Sequence, residues 1–155
     1  MAQLKDALMV KKFHKDAVTP KRGSPGAAGY DISALEGGVV KAGKHAIFRT
    51  GLGIKMRISD AGKIPVAIIK SRSGMSFKHQ IETGAGVIDC DYSGEIKVIL
   101  RNNGDKDYEV KSGDRIAQML IFQVSVPDVV EVQELPKTER GIKGFGSTGI
   151  SKLLS

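Results

Sequence analysis

The sequence predicts an all-β protein of sandwich or barrel-like jelly-roll type, and three observations predict it. Short extended-looking stretches recur along the 155 residues, many of them rich in β-branched side chains. Glycines punctuate them, notably Gly37, Gly38, Gly43, Gly51, Gly53 and Gly62. One internal segment, Ser73–Gln80, suits a short helix. Short strands at this spacing belong to a sandwich or a closed jelly roll. No repeat of fixed period and no low-complexity tract argues otherwise.

Taken in order, Met1–Leu8 reads as a frayed or loosely helical leader and Met9–Phe13 as a strand. Thr19–Gly29, TPKRGSPGAAG, is so rich in turn residues that no regular structure is expected there. Tyr30–Leu35 is extended, and Gly37-Gly38 ends it. Val39-Val40, Ala46–Ile58 and Lys63–Lys70 are further strands. After the helix comes GAGVIDCDYSGEIKVILRNNG, Gly84–Gly104. Val87 and Ile88 favour extended backbone, and Ser93-Gly94 breaks the run as a turn does. From Glu95 to Arg101 the side chains alternate: Ile96, Val98 and Leu100 face one way, Glu95, Lys97 and Arg101 the other, with Ile99 off-pattern. This stretch reads as a β-hairpin with Asp89, Asp91 and Tyr92 near its tip, which is either a site or, as acidic turns commonly are, a plain surface turn. Asp107–Lys111, Arg115–Val124 and Val129–Leu135 complete the strand series.

Bulk properties bound the function. One domain is the default at this length, and a small all-β chain can complete its core by oligomerising. There is no apolar run of membrane-spanning length and no secretory signal pattern. The single cysteine, Cys90, excludes an intrachain disulfide, and no zinc-ligand spacing is present. A reducing, intracellular setting, cytoplasmic or nuclear, is expected. The net charge of +7, from 24 basic and 17 acidic residues, suits an anionic partner such as a nucleotide or nucleic acid, and also suits an ordinary solvated surface.

Several segments carry groups suited to phosphate. Lys70-Ser71-Arg72-Ser73-Gly74 sets cations, hydroxyls and a glycine before a helix, which is either a phosphate site or a plain basic helix start. Asp114-Arg115-Ile116-Ala117-Gln118 places polar groups ahead of an apolar strand, where Asp114 and Arg115 can equally form an ion pair. Ala28-Gly29-Tyr30-Asp31 offers one carboxylate after a glycine loop. Thr138–Gly149, TERGIKGFGSTG, cannot build a core. It is either a disordered tail or a mobile flap whose amides and hydroxyls wrap phosphates while Phe145 covers a flat ring.

AGYDISA, SRSG, GAGVIDCDYSGE, GDRIAQM and RGIKGFGSTG occur in the order of the five motifs of trimeric dUTPases. From about Lys11 to Ile150 the chain resembles that family, and five ordered motifs are a specific match. The resemblance implies a homotrimer of jelly-roll-like (β-clip) domains with one short helix. Residues 1–136 would form the β domain, and residues 137–155 a flexible arm closing over a neighbour's site. It implies cleavage of dUTP to dUMP and pyrophosphate with Mg²⁺, which would lower dUTP and supply dUMP for thymidylate synthesis. Neither nucleic acid nor membrane is among the expected partners.

Position by position, Asp89 matches the general base and Tyr92 the ring beneath the deoxyribose. The backbone of Gly86, Val87, Ile88 and Lys97 matches the uracil-pairing groups. Arg72, Ser73, Gly74 and Gln118 match phosphate ligands. Arg140 matches an arm residue at the γ-phosphate and Phe145 the lid over uracil. Gly146, Ser147 and Thr148 match amides and hydroxyls beside the phosphates. Asp31 matches the carboxylate that holds Mg²⁺ through water. In the family each site draws its hairpin, phosphate loop and arm from three subunits. The chain departs from the family pattern at Lys70-Ser71, where Ala-Pro is usual, and at Met75-Ser76, where Leu-Ala is usual. Ser93 stands where a long basic residue is common, and Lys143 where a glycine is common. The same fold serves dCTP deaminases and nucleotide-gated binding proteins, which are the alternative reading. Asp89, Tyr92 and the Phe145 arm together favour the dUTPase.

Overall fold

The computed structural model of the protein describes residues 8–58, 63–138 and 141–142. Twelve strands and one helix occupy them, and every strand pairing is antiparallel. The strands are β1 (Met9–Lys12), β2 (Lys21–Arg22), β3 (Tyr30–Ser33), β4 (Gly38–Val40), β5 (His45–Arg49), β6 (Leu52–Lys55) and β7 (Ile64–Lys70). After the helix α1 (Ser73–His79) come β8 (Ile81–Gly84), β9 (Val87–Asp89), β10 (Lys97–Asn102), β11 (Tyr108–Val110) and β12 (Arg115–Val124). They form sheets ordered β2-β3-β12-β7-β9, β5-β10-β8, β1-β6 and β4-β11. The result is the all-β, jelly-roll-like fold with a single short helix among the described residues.

The core forms where alternating strands turn their apolar faces inward. Ile96, Val98 and Leu100 are all buried, whereas Lys97 and Arg101 are exposed, as the alternation of β10 predicts. Ile116, Ala117 and Met119 of β12 meet Ala67 and Ile69 of β7 in the same cluster. Two buried polar groups tie loops to this core. Thr50 donates to the Ile96 carbonyl at 2.6 Å and accepts from the Leu52 amide at 3.1 Å. Asn102 donates to the carbonyls of Val40 and Lys106 at 2.9 and 2.7 Å and accepts from the Gly104 amide at 2.9 Å. Both are thus satisfied, as burial requires.

Four expectations are corrected. Gly84–Gly104 is not a hairpin, because β9 pairs with β7 while β10 pairs with β5 and β8. The pairing of β8 with β10 stops at Gly84↔Ile99. There Ala85 and Gly86 adopt positive φ of 53° and 115° and turn the chain toward β7, where the Gly86 carbonyl accepts from the Ile69 amide at 2.7 Å. Strand β8 itself was not among the sequence-predicted strands. Inside Thr19–Gly29, Lys21 and Arg22 pair with Asp31 and Tyr30, so a two-residue strand does form. Val129–Leu135 is not a strand, and its residues are exposed. Pro127 lacks an amide to continue β12, and a strand without a partner edge has no ladder to join. Ala46–Ile58 is two strands, β5 and β6, divided at Gly51 with φ of 67°. The expected leader lies outside the described residues except for Leu8, which packs against the core.

Candidate functional site

A cleft of about 480 Å³ lies where β3, α1 and β12 come together. Gly29, Asp31, Arg72, Ser73, Gly74, Arg115 and Gln118 line it, and Lys78, His79 and Tyr108 extend it. Three of the five sequence motifs, far apart in the chain, therefore share one cavity. Strand pairing is what brings them there, since Gln118 sits opposite Asp31 on one side and Lys70 on the other.

Asp31 is the electrostatic centre of the cleft. Its carboxylate meets Arg72 Nε at 3.2 Å and Arg115 NH1 at 2.9 Å. Arg115 thus pairs with Asp31 and not with its neighbour Asp114, whose carboxylate instead accepts from the Lys111 amide at 2.8 Å. Arg72 also donates to the Arg115 carbonyl at 3.1 Å. Gln118 Nε2 donates to the Ser71 carbonyl at 2.9 Å, which anchors the loop ahead of the helix. Gly29 makes room for that glutamine, since a Cβ there would lie 2.8 Å from its Oε1. His79 and Tyr108 rings stand 5.0 Å apart. Burial and then Asp114 push the Tyr108 phenol above its ordinary pKa, with Arg72 pulling the other way, so it remains neutral near pH 7.

Glu82 is a structural participant that the sequence did not single out. Its carboxylate accepts from the hydroxyls of Ser71 and Ser76, the first at 2.5 Å. Those two bonds, Ser71 first, hold its pKa below the usual carboxylate range, against a smaller opposing effect of burial. A glutamate on a strand carries no distinguishing sequence signal. The two serines do, because both are departures from the family pattern.

Gly86, Val87, Ile88, Asp89, Tyr92 and Lys97 do not line this cleft. They belong to the divergence of β9 from β10. Had the β8–β10 register continued, Gly86 would oppose Lys97. Instead the two backbones part, and no ladder joins them among the described residues. A Cβ at Gly86 would lie 2.7 Å from the Ile69 carbonyl, so the close approach to β7 needs glycine. Val87 and Asp89 are exposed, and Ile88 is half-buried against the core. The Tyr92 hydroxyl donates to the Glu95 carbonyl at 2.9 Å, folding the ring over Gly94, where a Cβ would clash at 2.6 Å. Glu95 locks this loop to the β5–β6 turn by accepting from the Gly51 amide at 2.8 Å and from Arg49 at 3.2 Å. Arg140, Phe145, Gly146, Ser147 and Thr148 lie outside the described residues, as does Lys143.

The donor set bears on Mg²⁺. Asp31 is the only acidic residue among those lining the cleft, and no group of three or more His, Cys, Asp or Glu residues gathers among the described residues. This does not make a complete protein cage. It fits Mg²⁺ that keeps its waters and takes most of its remaining ligands from substrate phosphates. No described helix is long and apolar enough to cross a membrane.

Comparison with known proteins identifies relatives of the chain. A family model described as dUTPase matches residues 15–149. The chain is 49% identical over 144 residues to the deoxyuridine 5'-triphosphate nucleotidohydrolase of Paramecium bursaria Chlorella virus 1, spanning 93% of this chain and 99% of that protein. Its fold is similar to that of the Staphylococcus bacteriophage 80alpha dUTPase with dUPNHPP, at a TM-score of 0.83 and 29% identity, over 93% of this chain and 99% of the other. A mutant dUTPase of S. aureus phage phi11, described with a coordinated structural Mg(II) ion, shares the fold at a TM-score of 0.76 and 24% identity, over 85% and 100% of the two chains. With a family model spanning most of its length and a viral nucleotidohydrolase 49% identical over 93% of it, the chain belongs to the dUTPase family.

Proposed function

We propose that this protein hydrolyses dUTP to dUMP and pyrophosphate, lowering dUTP and supplying dUMP for thymidylate synthesis. The observation that carries the reading is the cleft in which Arg72, Ser73, Gly74, Arg115 and Gln118 converge on the Asp31 carboxylate. A triphosphate brings about four negative charges, which oppose attack by water until they are neutralised. Arg72 supplies a planar donor set matched to phosphate oxygens, and Ser73 with the Gly74 amide supplies further donors. Asp31 would hold hydrated Mg²⁺ through water. When bound with the nucleotide, Mg²⁺ supplies charge neutralisation at the phosphates.

Asp89 is the proposed general base, removing a proton from the water that attacks the α-phosphorus. Tyr92 lies under the deoxyribose and leaves no space for a 2′-hydroxyl. The parted backbones at Gly86–Ile88 and Lys97 form a slot for uracil. Amide and carbonyl groups there match uracil and leave groups unpaired against cytosine, and a narrow slot rejects the 5-methyl of thymine. Asp89 and the cleft stand apart within one chain, which fits a homotrimer that brings the β9 region of one subunit to the phosphate cleft of a second. Residues 137–155 serve as an arm from a third, with Arg140 at the γ-phosphate, Phe145 over uracil, and Gly146, Ser147 and Thr148 beside the phosphates. Arm closure excludes bulk water and strengthens each contact. The lone Cys90 and the absence of a disulfide pair fit an intracellular setting.

The deciding experiment measures phosphate release with added pyrophosphatase on dUTP and on dCTP. Release from dUTP alone is expected. Ammonia from dCTP without phosphate release would support the deaminase reading instead.

A further inference from the structure

Helix α1 has seven residues and begins without local support. Arg72 at its N-cap makes no side-chain capping bond, and its first turn holds no acidic residue. A helix this short is marginal unless something outside it fixes the first turn. The structure supplies that from β8. Glu82 accepts the Ser71 hydroxyl on one oxygen, at 2.5 Å, and the Ser76 hydroxyl on the other. Ser71 Oγ in turn accepts the Thr83 amide at 2.8 Å, and the Ser71 carbonyl accepts from Gln118 at 2.9 Å. Ser71 and Ser76 bracket Arg72, Ser73 and Gly74, and Arg72 reaches Asp31 from within this bracket. Two hydroxyls five residues apart thus end on one carboxylate.

We propose that Glu82 is a positioning residue, which holds the Ser71–Ser76 segment at the start of α1 through both serine hydroxyls so that Arg72, Ser73 and the Gly74 amide face the β- and γ-phosphates. The proposal rests on the dUTPase reading. It assigns Glu82 no contact with substrate, so its effect falls on the triphosphate tail and not on the base or sugar.

The test uses the full-length protein and calorimetric titration with a non-hydrolysable imido analogue of dUTP and, separately, with dUMP. Glu82→Ala is expected to weaken analogue binding about tenfold, the scale of hydrogen bonds to a charged group. Its dUMP affinity is expected to stay within about twofold of wild type. Ser71→Ala with Ser76→Ala should reproduce that pattern, and the triple variant should be no weaker than either. Equal loss for dUMP and the analogue, additive losses, or unchanged analogue binding would each overturn the clamp. If Glu82→Ala fails to fold, the double serine variant decides by the same criteria. Wild-type protein that binds neither ligand would overturn the dUTPase reading and the clamp together, whereas wild type that binds both leaves the failure to the clamp alone.

Discussion

Asp89 ends its strand exposed, and no cation pairs with it among the described residues. An exposed carboxylate at a strand end is free to meet water and a second molecule. We predict that Asp89→Asn leaves dUTP affinity within about tenfold of wild type and lowers turnover at least 10²-fold, because asparagine keeps the shape but cannot take the proton. Single-turnover and binding measurements separate the two effects, and near-normal turnover would remove Asp89 from the role. Gly86 tests the neighbouring geometry. With φ of 115° and the Ile69 carbonyl 2.7 Å from its missing Cβ, it has no room for alanine. Gly86→Ala is expected to cost about 1–3 kcal/mol in urea unfolding and to weaken dUMP binding by displacing β9. A variant as stable as wild type would show that the backbone there relaxes freely.

At the scale of elements, α1 and β8 are coupled through Glu82, and the coupling has a pH signature. The Ser71 and then the Ser76 hydroxyl lower the Glu82 pKa, with Lys70 adding to them and burial opposing. A carboxylate with a depressed folded pKa stabilises the fold above its unfolded pKa and loses that contribution as pH falls through the folded value. Wild type should therefore exceed Glu82→Ala in stability at neutral pH, and the gap should close as pH falls below the ordinary glutamate range. Urea midpoints of both proteins across that range measure it, and a gap independent of pH would exclude the ionised clamp. This contact also marks where sequence reading stops. The strands β7, β10 and β12 were legible because each carries its own alternating or β-branched pattern. Pairing partners were not. Gly84–Gly104 looked like a hairpin because adjacent strands usually pair, and only the positive φ at Ala85 and Gly86 reveals the exchange to β7. Val129–Leu135 had the composition of a strand, but composition cannot supply a partner edge. Arg72, Asp31 and Gln118 stand in three separate motifs, and strand pairing, which the motifs do not show, brings them into one cleft. Glu82 emerged only from distances, and so did the pairing of Arg115 with Asp31 in place of Asp114, since these partners lie 11 or 6 and 84 residues away.

At the scale of the molecule, the proposed reading makes one chain incomplete as an enzyme. Its phosphate cleft lacks Asp89, and Val87, Val129, Val130 and Leu135 are exposed. Such residues argue for covering by further copies. The arm proposed at 137–155 follows Pro136 and the exposed stretch after β12, which gives it length to reach another subunit. Arm exchange makes a quantitative prediction. Two inactive variants, Asp89→Asn and a chain ending at Lys137, are unfolded and refolded together in equal amounts so that subunits mix at random. A site functions only when its β9 region comes from the truncated chain and its arm from the Asp89→Asn chain. Each choice has even odds, so about one quarter of sites should be intact in a symmetric, heterologous assembly. If each arm instead served its own β9 region, no mixed assembly would hold a complete site. Native mass spectrometry confirms mixing, and recovered dUTP hydrolysis reads the outcome. Activity no higher than that of the separate variants, in confirmed mixed assemblies, would rule out arm exchange.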